Sequence, residues 1–455
     1  MGTQDIMGSE NVTKLILKFS LPAIIGMLVN GLYNIVDRIF VGQFVGSDGL
    51  TAITVGFPFT MVILAMAMLV GIGGAAKVSI LLGQKEVEAA RRTMFTALVM
   101  NLVISVLLTS LSIGFIRPLL VAFGASKKVL GAAVDYYIVI FIGIIFGNTA
   151  FVLNALMRSE GSPKSAMISM LIGAGLNIVL DPIFIYTFGM GIKGAAVATI
   201  LSQAVSMLWC ISHYTMGRSV LKFKICKPDF RAMLPIIEIG ISPFLTQIGS
   251  ALINFFFITG SGKYGELTPG VGGDVAIAAI GVMNSVGMIF FMPIFGLNQG
   301  TQPLIGYNYG AKQPDRVLQI LKRTILFATG FTLLGFIVME LFPGAIIRLF
   351  NNEDQALIAY ASSGLRKMYL ALPVVGFQIV SANFFQAIGK PAQAAFLSLS
   401  RQIIFLIPAL LLLPLAFGLN GILFSVPVAD LLSSLITSVF VAFEIRRLRR
   451  GILKV

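Results

Sequence analysis

The sequence predicts an all-α polytopic membrane protein with twelve transmembrane helices, and three observations support this fold class. Hydrophobic residues make up 57% of the 455 residues, and charged residues make up only 11%. Soluble globular proteins carry roughly 25% charged residues, and the mean hydropathy here is +0.94. Apolar runs of about 20 residues recur along the chain, and each is long enough to cross a hydrocarbon core of about 30 Å as a helix.

The apolar runs define the elements in chain order, with short loops between them. The predicted spans are 15–41, 51–76, 94–116, 133–157, 164–188, 193–213, 235–258, 275–302, 323–345, 362–388, 392–415 and 420–444. The first run is of full length and lacks a small-residue cleavage site. We therefore expect it to be a retained span and not a signal peptide.

The basic residues predict the orientation of the chain. Of its 33 Lys and Arg, 22 lie in loops or span ends on the side of the N-terminus, eight lie in loops or span ends on the other side, and the remaining three are Arg38, Lys77 and Arg401. The positive-inside rule then places both termini in the cytoplasm and the protein in the cytoplasmic membrane, in contact with lipid. The net charge of +14 does not indicate a nucleic-acid partner, because the basic residues form no stripe with aromatic residues.

Short matches recur at a nearly constant offset in the numbering, which predicts two related halves. Gly83-Gln84-Lys85 matches Gly310-Ala311-Lys312 at an offset of 227, and Gly161-Ser162-Pro163 matches Gly389-Lys390-Pro391 at an offset of 228. Repeated halves are typical of transporters. Six spans in each half give the two halves the same orientation, as two pseudo-symmetric six-helix lobes around a central cleft.

An earlier match has a shorter offset and predicts an insertion in the second half. Residues 20–22 match residues 241–243 at an offset of 221, and the segment 266–273, ELTPGVGG, is the candidate insertion. The predicted domains are an N-terminal lobe 1–213, a basic cytoplasmic linker 214–234 and a C-terminal lobe 235–455.

Polar residues inside the apolar runs predict a buried ionic site. Asn177 and Asp181 are four residues apart in one span, so they share a helix face. Asp37 in the first span and Thr199 in the sixth are predicted at a similar depth, in the half of the membrane away from the N-terminus. Intramembrane acids are costly and mark functional sites. The alternative is that Asp37 pairs with its neighbour Arg38 and that Asp181 merely ends a helix.

Four segments carry a family resemblance that covers essentially the whole chain. They are FSLPAIIGMLVNGLYNIVDRIFVGQ from Phe19, GIGGAAKVSILLGQK from Gly71, LNIVLDPIFI from Leu176 and GLNQGTQPLIGYNYGAK from Gly296. In these patterns the sequence resembles the MATE (multidrug and toxic compound extrusion) transporters. The resemblance implies two lobes around a cleft and drug export driven by H⁺ or Na⁺, with no other cofactor.

The resemblance also implies which residues couple the ion. In the branch that this sequence resembles, the cation site lies in the N-terminal lobe, and it corresponds here to Asp37, Asn177, Asp181 and Thr199. The same four residues are the candidate ligands of Na⁺. Another branch carries acids on spans 7 and 10, where this chain reads ALINFFFITG and ALPVVGFQIVSANFFQ without an acid. Coupling is therefore expected in the first lobe only.

Two further groups of residues are candidates for the substrate cavity and for a structural ion pair. Amides are costly against lipid, and aromatic and thioether groups accept varied cations. The cavity candidates are Asn34, Asn298, Gln299, Gln302, Gln378, Met288 and Phe291. Arg401 and Asp430, near mid-depth in spans 11 and 12, are predicted to form a structural ion pair, which we favour over a transport role.

The function predicted from these observations is secondary antiport, with export of amphipathic or cationic drugs in exchange for H⁺ or Na⁺. The expected partners are small lipophilic cations, and a monomer is expected. The alternative is a flippase for a lipid-linked precursor, which needs intramembrane cations for a pyrophosphate group, whereas this chain offers only Arg38, Lys77 and Arg401. An intramembrane enzyme is not expected, because HExxH and GxSxG motifs are missing from the sequence.

Overall fold

The computed structural model describes residues 3–216, 219–224, 226–350, 352 and 354–450. Every regular element in these ranges is a helix. Residues 217, 218 and 225 of the predicted linker 214–234 lie outside the described residues. The boundaries of the two predicted lobes and of the linker stay predictions, and we refer below to α1–α8 as the N-half and to α9–α17 as the C-half.

Seventeen α-helices, numbered in chain order, and two π-helical segments make up the described chain. The α-helices are α1 Thr3–Ser9, α2 Val12–Phe44, α3 Ser47–Gly83, α4 Val87–Gly114, α5 Ile116–Ala122, α6 Lys127–Ser159, α7 Pro163–Pro182, α8 Ile192–Thr215, α9 Phe230–Glu266, α10 Gly273–Gly310, α11 Pro314–Leu341, α12 Pro343–Arg348, α13 Gln355–Met368, α14 Leu372–Ala387, α15 Pro391–Leu399, α16 Ile407–Phe417 and α17 Leu419–Arg449. The π-helical segments are Ile183–Thr187 after α7 and Ser400–Leu406 between α15 and α16.

The predicted all-α polytopic fold is confirmed. Within the described ranges, eleven helical segments are long and apolar enough to span a membrane, and α13 with α14 forms a twelfth that is bent by 54°. All twelve predicted spans correspond to these segments. The bend falls at residues 369–371, inside the predicted span 362–388.

The two halves repeat each other in backbone detail. Lys85 and Lys312, which match at the offset of 227, both adopt a positive φ, at 65° and 56°. Gly191 and Gly418 share this offset and precede α8 and α17 with φ/ψ of 56°/−135° and 55°/−138°. L-residues rarely adopt such conformations, so their recurrence at one offset supports the duplication.

The connection between the first two spans differs between the halves, as the offset in the sequence predicts. In the N-half, α2 and α3 are joined by residues 45–46, whereas in the C-half α9 and α10 are joined by residues 267–272. The longer connection lies within the predicted insertion 266–273. The insertion also includes the last residue of α9, which is longer than α2. The helix α9 has 37 residues, against 33 in α2.

The hydrophobic core shows how the halves meet. We call the end of the molecule where α2 begins and α3 ends, near Lys14 and Lys85, the basic end. One buried cluster at this end joins residues of both halves, among them Phe19 and Leu304. Toward the opposite end the core divides into one cluster in the N-half, around Phe141, and another in the C-half, around Met283. The halves are thus joined at the basic end and separate beyond it.

Close backbone contacts seal the basic end. A Cβ at Gly83 would lie 2.0 Å from the carbonyl oxygen of Tyr307, and a Cβ at Gly310 would lie 2.0 Å from that of Ile80. Glycine is therefore required where α3 meets α10. Gly73, in the glycine-rich stretch of span 2, likewise approaches the Ile236 carbonyl oxygen of α9.

The contacts between the halves end near mid-depth. The outermost ones given for the described residues are Gly31 against Met292, and Gln247 Nε2 donating to the sulfur of Met61 at 2.9 Å. Beyond them, the buried core consists of a separate cluster in each half. The structure therefore has a cleft between the halves that is closed at the basic end and open at the opposite end.

Candidate functional site

Helix α7 places an amide and a carboxylate one turn apart and buries both. Asn177 is 2% exposed and Asp181 is fully buried. Asn177 Nδ2 donates a hydrogen bond to Asp181 Oδ1 at 3.2 Å. The i, i+4 spacing predicts this contact, because residues four apart lie on the same helix face.

Helix α8 adds the hydroxyl of Thr199 to the same site. Asn177 Nδ2 lies 3.4 Å from Thr199 Oγ1, which itself donates to the carbonyl oxygen of Ala195 at 3.0 Å. Gly194 permits this approach, since a Cβ there would lie 2.6 Å from the backbone of Phe184 in the π-helical segment. The π-helical turn after Asp181 and the small residue on α8 together bring the two helices into contact.

Helix α2 supplies the second acid. Asp37 is partly buried, and its carboxyl group interacts directly with that of Asp181. Two carboxylates in contact repel each other unless a proton or another cation lies between them. Arg38 lies within electrostatic range of Asp37, and its guanidinium lies over the ring of Phe57 at 5.8 Å. The direct contact of Asp37 is with Asp181, and the alternative pairing with Arg38 stays a longer-range interaction.

Three oxygen atoms at this site have no hydrogen-bond partner. They are Asp37 Oδ1, Asn177 Oδ1 and Asp181 Oδ2, and each is buried. Buried polar atoms are ordinarily satisfied, so three unpartnered acceptors in one place are available to a cation or to a water molecule. Carboxylate, amide and hydroxyl oxygens suit either a shared proton or a hard cation such as Na⁺. All four predicted coupling residues are brought together.

Two tyrosines beside the acids were not predicted. Tyr33 and Tyr136 lie within electrostatic range of both Asp37 and Asp181. Tyr33 is one helical turn before Asp37, and this spacing was a signal that the sequence offered. Tyr136 comes from α6, and nothing in the sequence connects it with α2 or α7.

The predicted cavity amides of α10 lie near the floor of the cleft. Asn298 Nδ2 and Gln302 Nε2 are buried without a hydrogen-bond partner. Gln299 Nε2 lies 3.5 Å from the sulfur of Met27 in α2, which places it at the contact between the halves. These three residues therefore stay candidates for the cavity.

The other predicted cavity residues are more scattered. Asn34 is exposed one turn before Asp37, and its Nδ2 donates to the carbonyl oxygen of Asn30 at 2.7 Å. Met288 is exposed beyond the last contact between the halves, and Phe291 packs against Tyr369 in the C-half core. Gln378 is buried, and its Nε2 donates to Leu397 O at 3.4 Å, so the structure gives it a packing role.

The predicted ion pair of the C-half is present. Arg401 Nε donates to Asp430 Oδ1 at 2.6 Å, and the Asp430 side chain is 6% exposed. Arg401 lies in the π-helical segment Ser400–Leu406, and Asp430 lies on α17. The contact agrees with a structural pair, and the role itself stays a prediction.

Comparison with a family model decides the classification. The MatE model matches residues 22–183 and, a second time, residues 247–412, which together exceed half of the chain. This chain belongs to the MatE family. The two MATE matches fall one in each half, in agreement with the duplicated backbone.

Relatives of this MATE protein cover nearly its full length. It is similar to the multidrug export protein MepA of Staphylococcus haemolyticus, with 27% identity over 96% of this chain and 94% of MepA. It is also similar to MepA of Staphylococcus aureus strain N315, with 28% identity over 93% of this chain and 92% of that protein.

Solved MATE structures share the complete fold. The outward-facing conformation of a multidrug resistance MATE family transporter of the MOP superfamily has a TM-score of 0.91 and 25% identity, and 99% of each chain is covered. A MATE in the straight conformation gives a TM-score of 0.91 at 26% identity, again over 99% of both chains. The chain is thus a multi-pass membrane transporter of this family.

Proposed function

We propose that this protein is a secondary antiporter of the cytoplasmic membrane that exports amphipathic, cationic drugs in exchange for H⁺ or Na⁺. The observation that carries the proposal is the contact between the carboxyl groups of Asp37 and Asp181, with three orphaned oxygens around it. Such a site changes its charge when a cation enters or leaves. It lies away from the basic end, in a molecule whose cleft is open at the opposite end.

The ion reaches the site from the open end and joins three helices. A proton or Na⁺ between Asp37 and Asp181 removes the repulsion between them and draws α2 toward α7. Asn177 links Asp181 with Thr199 of α8. Loss of the ion restores the repulsion, which changes the preferred packing of α2 against α7 and α8. Because α2 also lines the cleft, this packing is coupled to the drug cavity.

The basic end faces the cytoplasm in this proposal. Lys14, Lys85 and Lys312 lie there, and positive loops stay on the cytoplasmic side. The cleft of the described structure then opens outward. Both termini are cytoplasmic, and one chain supplies both halves and the complete ion site, so we propose that the monomer is the functional unit.

The substrate class follows from the relatives and from the cleft. The similar MepA proteins are multidrug export proteins. In this chain, Asn298 and Gln302 offer unpartnered amides near the cleft floor, and Met288 is exposed above it. Amides, thioethers and aromatic faces attract cations of varied shape without demanding one geometry.

The flippase alternative is less favoured by the cations within the membrane. A pyrophosphate group needs several free guanidinium or ammonium groups in the cleft. Arg401 is already paired with Asp430, Arg38 lies over Phe57, and Lys77 is near the basic end of α3. The relatives are export proteins and not enzymes by name, so transport without catalysis is proposed.

Transport in proteoliposomes tests this function. Purified protein is reconstituted, and movement of ethidium is followed while a pH gradient and a sodium gradient are imposed separately. We expect at least one of the two gradients to drive transport. The one that does so identifies the coupling ion.

Protein-free liposomes and proteoliposomes without a gradient serve as controls. Transport that is unaffected by either gradient would reject antiport. A gradient-driven movement of a lipid-linked pyrophosphate, with none of ethidium, would favour the flippase instead.

A further inference from the structure

The N-terminal helix α1 precedes the N-half in sequence, yet it packs on the C-half. Met7 is fully buried in the core shared by both halves. A Cβ at Gly8 would lie 3.3 Å from the ring of Tyr307 on α10. The segment before the first span is therefore an integral part of the basic end and not a free tail.

Polar side chains of the C-half bind the backbone of this segment. Asn308 Nδ2 donates to the carbonyl oxygen of Met7 at 3.1 Å. Arg316 Nη2 donates to the carbonyl oxygens of Met7 at 3.2 Å and of Glu10 at 3.0 Å. Arg316 Nε donates to Asn308 Oδ1 at 3.0 Å, so the two side chains hold each other in place.

The same segment is fixed to the N-half by the side chain of Glu10. Its carboxylate binds Lys14 at 3.1 Å and Lys18 at 3.2 Å, both in the first turns of α2. Glu10 thus offers its backbone to the C-half and its side chain to the N-half. A further bond, from Arg323 of α11 to Thr13 Oγ1, crosses between the halves beside it.

We infer that Met7 and Glu10, held by Asn308 and Arg316, form a latch that keeps the basic end closed. Any opening of the basic end must separate the start of α2 from α10 and α11. That movement breaks the bonds of Arg316 to both carbonyl oxygens or pulls α1 away from the N-half. Since α2 also carries Asp37, the latch and the ion site are at two ends of one helix.

The latch determines how firmly the basic end is closed, and this can be measured without a transported drug. Ser79 is 1% exposed, and its Cβ faces Gly306 of α10 where the halves meet. Ser79→Cys, in a background with Cys210→Ser and Cys226→Ser, reports opening through its rate of reaction with a maleimide in detergent. Ser425→Cys, buried in α17 away from this contact, reports unfolding.

We expect Arg316→Ala to raise the labelling rate at Ser79→Cys by about fivefold or more, which corresponds to about 1 kcal/mol in the closing equilibrium. Asn308→Ala, which removes one bond to Met7, is expected to have a smaller effect. Arg92→Ala is the matched control, because it removes the same charge at the basic end, and the partner of Arg92, Glu88, lies on its own helix.

Several results would overturn the latch. One is an unchanged rate at Ser79→Cys in both Arg316→Ala and Asn308→Ala. Another is an equal increase in Arg92→Ala, which would assign the effect to surface charge. An equal increase at Ser425→Cys would assign it to unfolding. If the protein showed no ion-driven transport while Arg316→Ala still raised the labelling rate at Ser79→Cys, the proposed function would be rejected and the latch would stand.

Discussion

The two halves each bury a carboxylate in a membrane-spanning helix, yet the surroundings of the two carboxylates differ. In the N-half, Asp181 faces a second acid, Asp37, and three oxygens around them have no partner. In the C-half, Asp430 receives the guanidinium of Arg401 at 2.6 Å. The fifth span of each half also contains a π-helical segment, so the contrast lies mainly in the side chains.

This contrast separates an exchangeable charge from a fixed one. A carboxylate that is paired with arginine has a counter-ion that belongs to the chain and stays charged at any ordinary pH. A pair of acids has no such counter-ion in the chain, so its charge depends on whether H⁺ or Na⁺ binds from solution. A duplicated fold can thus couple to an ion in one half while the other half stays electrostatically constant.

The strongest test of this contrast removes one acid of the N-half. Asp181→Asn is expected to lower ion-coupled transport by about 100-fold or more, because the cation loses a buried charge worth several kcal/mol. The measurement is drug-driven flux of H⁺ or Na⁺ in proteoliposomes. Asp135→Asn is the matched control, since Asp135 is half exposed and paired with Lys193. Full coupled flux in Asp181→Asn would show that Asp181 does not carry the exchangeable charge of the N-half.

The second test removes the fixed pair of the C-half. Arg401→Leu leaves Asp430 buried and unpaired, and we expect it to lower the free energy of unfolding by about 3–5 kcal/mol. The double variant Arg401→Leu/Asp430→Leu removes both charges and is expected to recover most of that stability and to keep coupled transport. Thermal unfolding in detergent and the flux assay measure the two effects. Loss of coupling in a stable double variant would give the pair a transport role.

The smallest expected effect concerns Glu10, a partly exposed acid at the basic end, which provides a reference for the buried ones. Hydrogen bonds from Lys14 and Lys18 hold the pKa of Glu10 below its ordinary value of 4.5. A lowered pKa stabilises the folded state above pH 4.5, and this contribution is lost as the pH falls through the folded value. Glu10→Gln is therefore expected to lower the unfolding temperature by about 1 °C at pH 7 and by less at pH 3.

Thermal unfolding at the two pH values measures this difference. Glu88→Gln offers a matched control, because Glu88 is an exposed acid at the same end that contacts Arg91 and Arg92 on its own helix. If Glu10→Gln lost more stability at pH 3 than at pH 7, the pKa of Glu10 could not be lowered in the folded state.

The spans, the repeat and the four ion-site residues were predictable because each leaves a local signal. Hydropathy marks a span directly, and Asn177 with Asp181 shows the i, i+4 spacing of one helix face. Their meeting with Asp37 and Thr199 came from predicted depth and from the family resemblance. The contact between Arg401 and Asp430 was also predicted, since two opposite charges at one depth on consecutive spans can pair.

Features that depend on contacts distant in sequence were missed. His213 is the last residue of the predicted span 193–213, and the sequence gives no partner for it. In the structure its Nε2 lies 2.5 Å from Oε1 of the fully buried Glu160, and Glu160 Oε2 accepts a hydrogen bond from Ser219. No periodicity in the sequence links these three residues.

The glycine contacts at the basic end have the form of an isologous interface. Gly83 meets the carbonyl oxygen of Tyr307, and Gly310 meets that of Ile80. Gly83 and Gly310 are related by the offset of 227 between the halves, and so are Ile80 and Tyr307. In a homodimer with two-fold symmetry, residue i of one subunit contacts residue j of the other and j contacts i, which is the pattern found here. A half-length ancestor with one such glycine could therefore have assembled as a symmetric pair before the gene was duplicated and fused.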